Sequence, residues 1–410
     1  MALEIITFNA KRVSRWSAVA LGASIPVSTA LDNVLLVIAL AAWALSGQIR
    51  ETLKIAVNNN VARFSTALFL LLAIGITYGE ATRAEALSCL SKYADLLYIP
   101  VLMMIFRAPE TRTQALHALA CSLASIIVLS YLIRFGLLLK LPFITGTIAS
   151  PTVFKLKLTH NLLVAFGAFL FVWLGHAAVN QRVRMIWYGL ALLAVLNVIL
   201  MVQGATGYLV LGALAILLGW QSVSGRATVG MLLALTLLLA VGLTVPSPFQ
   251  DRVVTIKREL QDWNPADSAR TSTGLRLEFY QNSLAIVARH PLTGVGTGGF
   301  PSAYAQQVQG TGKVETHNPH NEFLHIATQV GVLGIILLVA LFVSQWRLAS
   351  TLRSPMDRGL ARGLVLTMVI GCLLNSLLLD HTEGLFYAWL TGVLYGGLEY
   401  GPPANSSASA

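Results

Sequence analysis

Residues 322–346 read EFLHIATQVGVLGIILLVALFVSQW, a run with one acidic residue, at its first position, and no lysine or arginine. The run exceeds the roughly 20 mostly apolar residues that a helix needs to cross a bilayer. It lacks the alternation of apolar and polar residues that a membrane β-barrel strand requires. These residues therefore predict a transmembrane α-helix, because a helix satisfies its backbone hydrogen bonds internally in hydrocarbon.

The composition of the whole chain points to the same environment. Of the 410 residues, 56% are hydrophobic and 11% are charged, and the mean hydropathy is +0.70. Soluble domains average about 25% charged residues, so this chain needs lipid as its solvent. The formal net charge of +10 is typical of a membrane protein with basic cytoplasmic loops. We therefore expect membrane lipid, and no nucleic acid, as a partner.

The predicted fold class is all-α: a polytopic membrane protein with about 12 transmembrane helices and one large, partly helical loop. Residues 1–245 would hold transmembrane helices one to nine and residues 246–321 the loop. Residues 322–400 would hold helices ten to twelve, followed by a disordered tail at 401–410. The predicted spans are residues 16–30, 32–47, 64–79, 93–106, 114–139, 159–178, 185–203, 206–221, 228–245, 322–346, 359–379 and 384–398.

Basic residues in the short connections predict the orientation, because lysine and arginine accumulate on the cytoplasmic side of a multi-pass protein. With the N-terminus in the cytoplasm, most of these residues, including Arg107 and Arg353, fall on cytoplasmic connections. The large loop then lies on the outer, periplasmic side. The basic residues on that side, outside the loop itself, are Arg83, Lys92, Arg134, Lys140, Lys155 and Lys157.

The loop predicts two helices. Residues 250–263 and 273–289 both space apolar side chains at helical intervals among charged ones. Residues 294–299, GVGTGG, match a dinucleotide-binding glycine pattern in form only, since no βαβ unit surrounds them. We expect this segment to be a flexible loop that packs close to the membrane or the substrate.

The densest polar cluster, residues 316–322, lies where the loop meets the tenth predicted span. One interpretation is structural: Asn318 would cap the helix, with Pro319 at its first position. The other is functional: His317 or His320 would accept a proton, because histidine titrates near ambient pH. A metal site is disfavoured, since no cysteine and few acids lie near these histidines.

Four basic residues are candidates for binding an anion. Arg276 and Arg289 lie in the second predicted loop helix, and Lys155 and Lys157 precede the sixth span on the outer side. Arginine suits a diphosphate because its planar guanidinium forms bidentate, charge-assisted hydrogen bonds. The alternatives are an arginine in solvent that pairs with a nearby acid, and lysines that reach from the helix end to water.

Two patterns resemble the O-antigen ligases, a family that shares a superfamily with O-antigen polymerases and some O-linked protein glycosyltransferases. One is His320-Asn321 followed, after nine residues, by Gly331-Val332-Leu333-Gly334. The other is Arg276 followed by the segment HPLTGVGTGGF at 290–300. The layout of twelve predicted spans, with a long loop before the tenth, is similar as well.

The resemblance implies a metal-independent glycosyltransferase in a bacterial inner membrane, with its active site facing the periplasm and no cofactor. Its donor would be an O-polysaccharide on undecaprenyl diphosphate, and its acceptor the lipid A–core. His320 would be the general base and Arg276 would stabilise the departing diphosphate, in an inverting transfer. Substrate contacts would come from His317, Asn321, Lys155, Lys157 and Arg289.

One position departs from the family pattern. The family carries an arginine close to Ala205, within the segment QGATGY at 203–208. Another cation could substitute, the substrate could be held differently, or the alanine could inactivate the protein. We favour the last of these, because the flanking residues are similar to those of the family.

Other functions remain open at this level. A polymerase would use a second lipid-linked saccharide as its acceptor, and a protein glycosyltransferase would use a polypeptide. A lipid or polysaccharide transporter is a more distant alternative, and it would carry polar or broken helices in related halves of the chain. The sequence shows no such internal repeat.

Overall fold

Helices dominate the part of the chain that the computed structural model describes, which is residues 2–138, 144–221, 246–261 and 271–398 together with positions 240, 243 and 244. The β-structure among those residues is limited to one isolated antiparallel bridge, Thr147–Ser150. The helices are α1 Ala2–Ser24, α2 Thr29–Leu45, α3 Ile49–Asn58, α4 Asn60–Gly75, α5 Arg83–Lys92, α6 Asp95–Ile105, α7 Pro109–Arg134, α8 Lys157–Ala177, α9 Gln181–Leu200, α10 Ala205–Gln221, α11 Pro248–Gln261, α12 Ser272–Arg289, α13 Phe300–Val308, α14 Glu322–Ala349, α15 Pro355–Leu374 and α16 His381–Tyr395.

The chain is an all-α, multi-pass membrane protein. Five stretches of the described chain are long and apolar enough to cross a membrane: α5 with α6, and α7, α8, α9 and α14. A sixth is possible if α2 and α3, bent by 104° at their junction, form one broken span. The total of about twelve spans therefore stays a prediction. The predicted ninth span and the tail at 401–410 lie outside the described residues, apart from positions 240, 243 and 244.

Several predicted boundaries are wrong. The first predicted span, residues 16–30, crosses a break, because α1 ends at Ser24 and Ser28 caps α2 by accepting a hydrogen bond from the Leu31 amide. Helices α3 and α5 were not predicted as separate elements. The loop holds a third helix, α13, which begins at Phe300 with a proline at its second position.

Close contacts between small residues and aromatic rings hold the bundle together. Gly22 of α1 leaves room for the ring of Trp389 in α16, since a Cβ at position 22 would lie 2.3 Å from that ring. The Trp389 indole donates to the Ala18 carbonyl at 2.7 Å, and Phe106 meets its ring edge-on. Such close packing stabilises the association of helices in lipid. The hydrophobic effect does not drive association there, because lipid tails are as apolar as the side chains.

The helical bundle has two ends, which are formed by different helix termini. Helices α8, α10 and α14 begin, and α15 ends, near the loop helices α11 to α13; we call this the loop end. Helices α7 and α15 begin, and α14 and α16 end, at the opposite end, which we call the far end.

Helix α14 is broken inside its apolar run. Val330 and Gly331 have non-helical dihedral angles, and Gly331 has φ +66°. A Cβ at position 331 would lie 2.2 Å from the Leu292 carbonyl oxygen, so both the conformation and the space require glycine. This contact gives a physical reason for the glycine that follows His320 in the sequence pattern.

The glycine-rich segment fills the break with backbone hydrogen bonds. The amides of Val295 and Gly296 donate to the carbonyls of Thr328 and Gln329 at 2.8 and 2.9 Å. A Cβ at Gly296 would lie 2.2 Å from Gly79 Cα, so the segment also packs against the chain that follows α4. The segment is therefore docked on protein backbone and is not a free loop, whereas its proximity to membrane or substrate stays a prediction.

Candidate functional site

A cavity of about 210 Å³ opens at the loop end. Three basic side chains line it, Lys157 at the start of α8, Arg252 in α11 and Arg276 in α12. The remaining lining residues are Leu158, Gln203, Gly204, Ala205, Thr206 and Gly207, so no acidic side chain of the described chain lines this space. The first residues of α10 face it as well, and a helix N-terminus favours negative charge. The cavity is suited to an anion.

Arg276 is the cation best placed for a ligand. Its side chain is half-buried, and no hydrogen bond or ion pair to another described residue occupies its guanidinium. Burial lowers the pKa of Arg276, and Arg252 lowers it further, against the opposing effect of Tyr280. Arginine stays charged in proteins despite such a shift. A half-buried cation without a partner among the described residues indicates a binding role.

Arg252 was not among the predicted site residues. It lies on an amphipathic helix, α11, whose pattern is typical of a solvated surface and does not indicate a role at a site. The structure holds its guanidinium between Glu259, with an N–O distance of 3.9 Å, and the Ser272 hydroxyl at 3.3 Å. These contacts place a second arginine in the cavity beside Arg276.

His320 lies next to this cavity in an uncommon backbone conformation. Among the described residues it is the one non-glycine residue with positive φ, at +53°. The Asn318 side chain accepts a hydrogen bond from its amide at 2.8 Å, and the Tyr280 hydroxyl lies 3.1 Å from its carbonyl oxygen. Its ring stacks on Phe279, with centroids 6.1 Å apart. The surroundings thus fix a conformation that costs about 1–3 kcal/mol.

The surroundings of His320 also favour its neutral form. Burial lowers the pKa of His320, the charge on Arg276 lowers it further, and a hydrogen bond with Asn375 opposes both effects. Neutral imidazole has one ring nitrogen with a free lone pair while the other carries its proton. A bond from the protonated nitrogen to Asn375 would leave the second nitrogen as a base.

Asn375, also absent from the prediction, connects His320 to the cavity. The side-chain amide of Asn375 donates to the Thr206 hydroxyl at 3.3 Å, and Thr206 lines the cavity. The next residue, Ser376, donates to the Asn318 side chain at 2.7 Å. A local sequence pattern does not indicate contacts between positions that lie so far apart in the chain.

The cap of α14 differs from the predicted one. Asn321, not Asn318, is the N-cap, and its side chain accepts a hydrogen bond from the Leu324 amide at 3.0 Å. Its NH₂ group donates to the Leu373 carbonyl at 3.0 Å. Asn321 therefore holds the start of α14 against the end of α15, and a substrate contact for it stays a prediction.

Glu322, two residues after His320, connects the start of α14 to neighbouring segments of the chain. It is fully buried, and its carboxylate accepts hydrogen bonds from the Tyr93 hydroxyl and the Leu378 amide, both at 2.8 Å. The Tyr93 hydroxyl lies 2.9 Å from His325 as well. The buried carboxylate thereby fixes residues 375–378, which carry Asn375, relative to the start of α14.

The structure does not bring all predicted residues to the cavity. His317 is exposed, and Arg289 donates to Gln307 on the loop surface. Lys155 donates to the Thr29 and Thr382 hydroxyls, both at 3.0 Å, and lies 3.9 Å from the Asp32 carboxylate. Lys157, Arg276 and Ala205 line the cavity, and His320 adjoins it through Asn375.

Residues 190–339 match the protein-family model described as O-Antigen ligase. This part of the chain is similar to the O-antigen ligase family. The family resemblance drawn from His320 and Gly331 is thereby confirmed. The match covers a little over a third of the chain and includes positions 205, 252 and 276.

A curated protein of Haemophilus influenzae (strain ATCC 51907 / DSM 11121 / KW20 / Rd), described as "Uncharacterized protein", is 21% identical to the chain over 260 residues. That alignment covers 61% of this chain and 63% of the relative. The chain thus spans less than two thirds of the relative it matches. The match to the family model includes the cavity arginines and His320, whereas Lys157 and Asn375 lie outside it.

Proposed function

We propose that this protein is an O-antigen ligase of a bacterial inner membrane, with its active site facing the periplasm. It would transfer an O-polysaccharide from undecaprenyl diphosphate to a sugar hydroxyl of the lipid A–core. The observation that carries the proposal is the position of Arg276, a half-buried cation without a described partner, in a cavity that adjoins His320. The family match to residues 190–339 supports the same reaction class.

The cavity would hold the diphosphate of the donor. Arg276, Arg252 and Lys157 bring three positive charges to one space, and no acid lies among its described lining residues. Charge on the diphosphate grows as the glycosidic bond breaks, and positioned cations stabilise that growth more than they stabilise the ground state. The first turn of α10 would contribute backbone N–H groups to the same oxygens.

His320 would act as the general base. Its unprotonated ring nitrogen would accept the proton of the acceptor hydroxyl while that oxygen attacks the anomeric carbon of the donor. The bond from the anomeric carbon to the diphosphate oxygen breaks in the same step, and undecaprenyl diphosphate leaves with the bonding electrons. Attack opposite the leaving group inverts the anomeric centre. Asn375 would keep the ring nitrogens in their roles through its bond to His320.

The test is transfer by the purified full chain in detergent, with lipid-linked polysaccharide and lipid A–core, and with neither nucleotide nor added metal. We expect transfer to persist in a chelator. Arg276→Gln should lower turnover about 10²–10³-fold, the usual effect of losing one donor to developing charge. Arg289→Gln is the matched control, because it removes the same charge from the same helix outside the cavity.

Acceptor choice separates the superfamily members. Offered a second lipid-linked saccharide or a polypeptide instead of lipid A–core, the protein should transfer to neither. Elongation of the lipid-linked chain would make it a polymerase, and a glycosylated polypeptide would make it a protein glycosyltransferase. Equal transfer by Arg276→Gln and Arg289→Gln would contradict the role of the cavity.

A further inference from the structure

A second and larger cavity, of about 720 Å³, lies at the far end. Its polar lining consists mainly of arginines from separate parts of the chain: Arg15, Arg107, Arg112 and Arg353. These residues were predicted to be cytoplasmic from charge alone, and no role at a site was assigned to them. The structure adds that they face one common space.

Basic side chains outnumber acidic ones in the described lining of this space. Asp357 is the one acidic side chain among the lining residues of the described chain, and it interacts electrostatically with Arg112. The Arg112 guanidinium also donates to the Arg107 carbonyl at 2.9 Å, which holds it in place. The guanidinium groups of Arg15, Arg107 and Arg112 repel one another across this space, so an anion between them would stabilise the arrangement.

The start of α7 adds to the attraction for an anion. Ala108 and Pro109 line the cavity, and α7 runs for 26 residues from Pro109. Its N-cap residue, Ala108, provides no side-chain hydrogen bond, so the side chain at this helix start does not cap the first N–H groups. Such groups and the helix dipole favour an anion.

We propose that this far-end cavity binds a phosphate group, and that the group belongs to the headgroup of an anionic phospholipid. Arginine forms bidentate hydrogen bonds with phosphate oxygens, and several arginines converge here. Basic pockets between membrane helices, at headgroup depth, recognise anionic lipids by this chemistry. The cavity volume leaves room for more than a single ion.

This site is separate from the cavity at the loop end, for which we propose binding of the donor diphosphate. Helix α15 begins at the far-end cavity with Pro355 and Asp357 and ends at Leu374, beside Asn375. Its 20 residues span about 30 Å at 1.5 Å per residue, which is the thickness of a hydrocarbon core. A lipid at the far end would therefore lie in the opposite leaflet from the proposed donor.

The experiment titrates the delipidated full chain with phosphatidylglycerol, with phosphatidylcholine and with inorganic phosphate. Native mass spectrometry counts the bound lipids, and the thermal unfolding midpoint reports binding of either source. The test variant is Arg15→Gln/Arg107→Gln, two exposed residues of the lining. The control is Arg63→Gln/Arg182→Gln, which removes two exposed charges from the predicted cytoplasmic side outside the cavity.

We expect phosphatidylglycerol, and not phosphatidylcholine, to bind and raise the midpoint. The test variant should lose affinity about tenfold or more, and the control should not. A response to inorganic phosphate equal to the response to lipid would overturn the lipid assignment in favour of a free anion. Equal loss in both variants, or no response to any ligand, would overturn the site itself.

A charge-preserving variant guards against a folding defect. Arg15→Lys/Arg107→Lys keeps both charges but cannot form bidentate bonds, so it should fold and bind phosphatidylglycerol with intermediate affinity. Wild-type affinity in this variant would show that nonspecific charge, rather than the cavity, attracts the lipid. Glycan transfer is measured in parallel and should persist in all variants, which keeps this result separate from the proposed ligase activity.

Discussion

His320 combines a chemical role with a backbone conformation that few residues adopt, so its substitution must be chosen with both in mind. Alanine would be strained at φ +53°, whereas asparagine is enriched at positive φ and titrates no proton. We predict that His320→Asn lowers transfer about 10²–10⁴-fold while the unfolding free energy changes by less than about 0.5 kcal/mol. Initial rates and thermal unfolding measure the two effects. Transfer at the wild-type rate would rule out the general-base role.

Asn375 should set the pH range in which His320 is a base. In Asn375→Asp the carboxylate would stabilise the imidazolium, so the pKa of His320 would rise from its present lowered position. A base with a higher pKa stays protonated to a higher pH, and the acidic limb of the rate profile should move upward accordingly. Rates across the pH range test this shift, with Asn375→Gln as the uncharged control. A loss that is the same at every pH would indicate a structural role alone.

Ala205 stands where the family resemblance expects an arginine, and it lines the cavity with Arg276. We predict that Ala205→Arg raises transfer and tightens the binding of undecaprenyl diphosphate, with less effect at high salt. Arg252 offers a substitute cation in the same cavity, so Arg252→Gln should depress the alanine form more than the arginine form. Rates of the four combinations in one detergent provide the comparison. Full activity without a gain from arginine would mean that the present cations suffice.

At the scale of one element, the break in α14 depends on Gly331. Gly331→Ala would add the strain of φ +66°, about 1–2 kcal/mol for a side chain in that region, and a Cβ against the Leu292 carbonyl. Gly310→Ala is a matched control, because Gly310 has φ +72° and no atom within 4 Å of its Cβ position. We expect Gly331→Ala to lower the unfolding temperature further and to impair transfer. Equal effects of the two changes would show that the docked segment contributes nothing.

The sequence predicts apolar helices more readily than their interruptions. Length and composition predict α7, α8, α9 and α14, because each is a sustained apolar run. The sequence does not indicate the break at Gly331, because a glycine does not interrupt the apolar run around it. The short helices α3, α5 and α13 fall below the length at which a run signals a span.

The candidate site, too, could be predicted only in part from the sequence. Residue type and family resemblance indicate Arg276 and His320, whose roles stay predictions, and the structure brings both to one cavity region. Asn375 and Arg252 were missed, because their contacts join helices that are distant in sequence. Such contacts are produced by packing, and a local pattern does not contain them.

For the whole molecule, the orientation in the membrane is the feature to test. We predict that a cysteine at Val314, an exposed loop position, reacts with an impermeant reagent in intact spheroplasts of a cysteine-free variant. Arg182→Cys, at the start of α9 on the predicted cytoplasmic side, should react only after permeabilisation. The reverse pattern of labelling would invert the predicted topology and move the proposed active site to the cytoplasm.

The docking of the glycine-rich segment onto α14 also constrains the order of biosynthesis. The amides of Val295 and Gly296 leave the ribosome before their acceptors, the carbonyls of Thr328 and Gln329. Another partner of the segment, the Gly75 carbonyl that accepts from the Thr297 amide, belongs to α4 and is synthesised earlier. With the loop on the periplasmic side, as predicted, the segment would cross the membrane and keep its backbone solvated until the tenth predicted span follows. Completion of the site is a late event in assembly, and a chain released before Val332 is made would lack it.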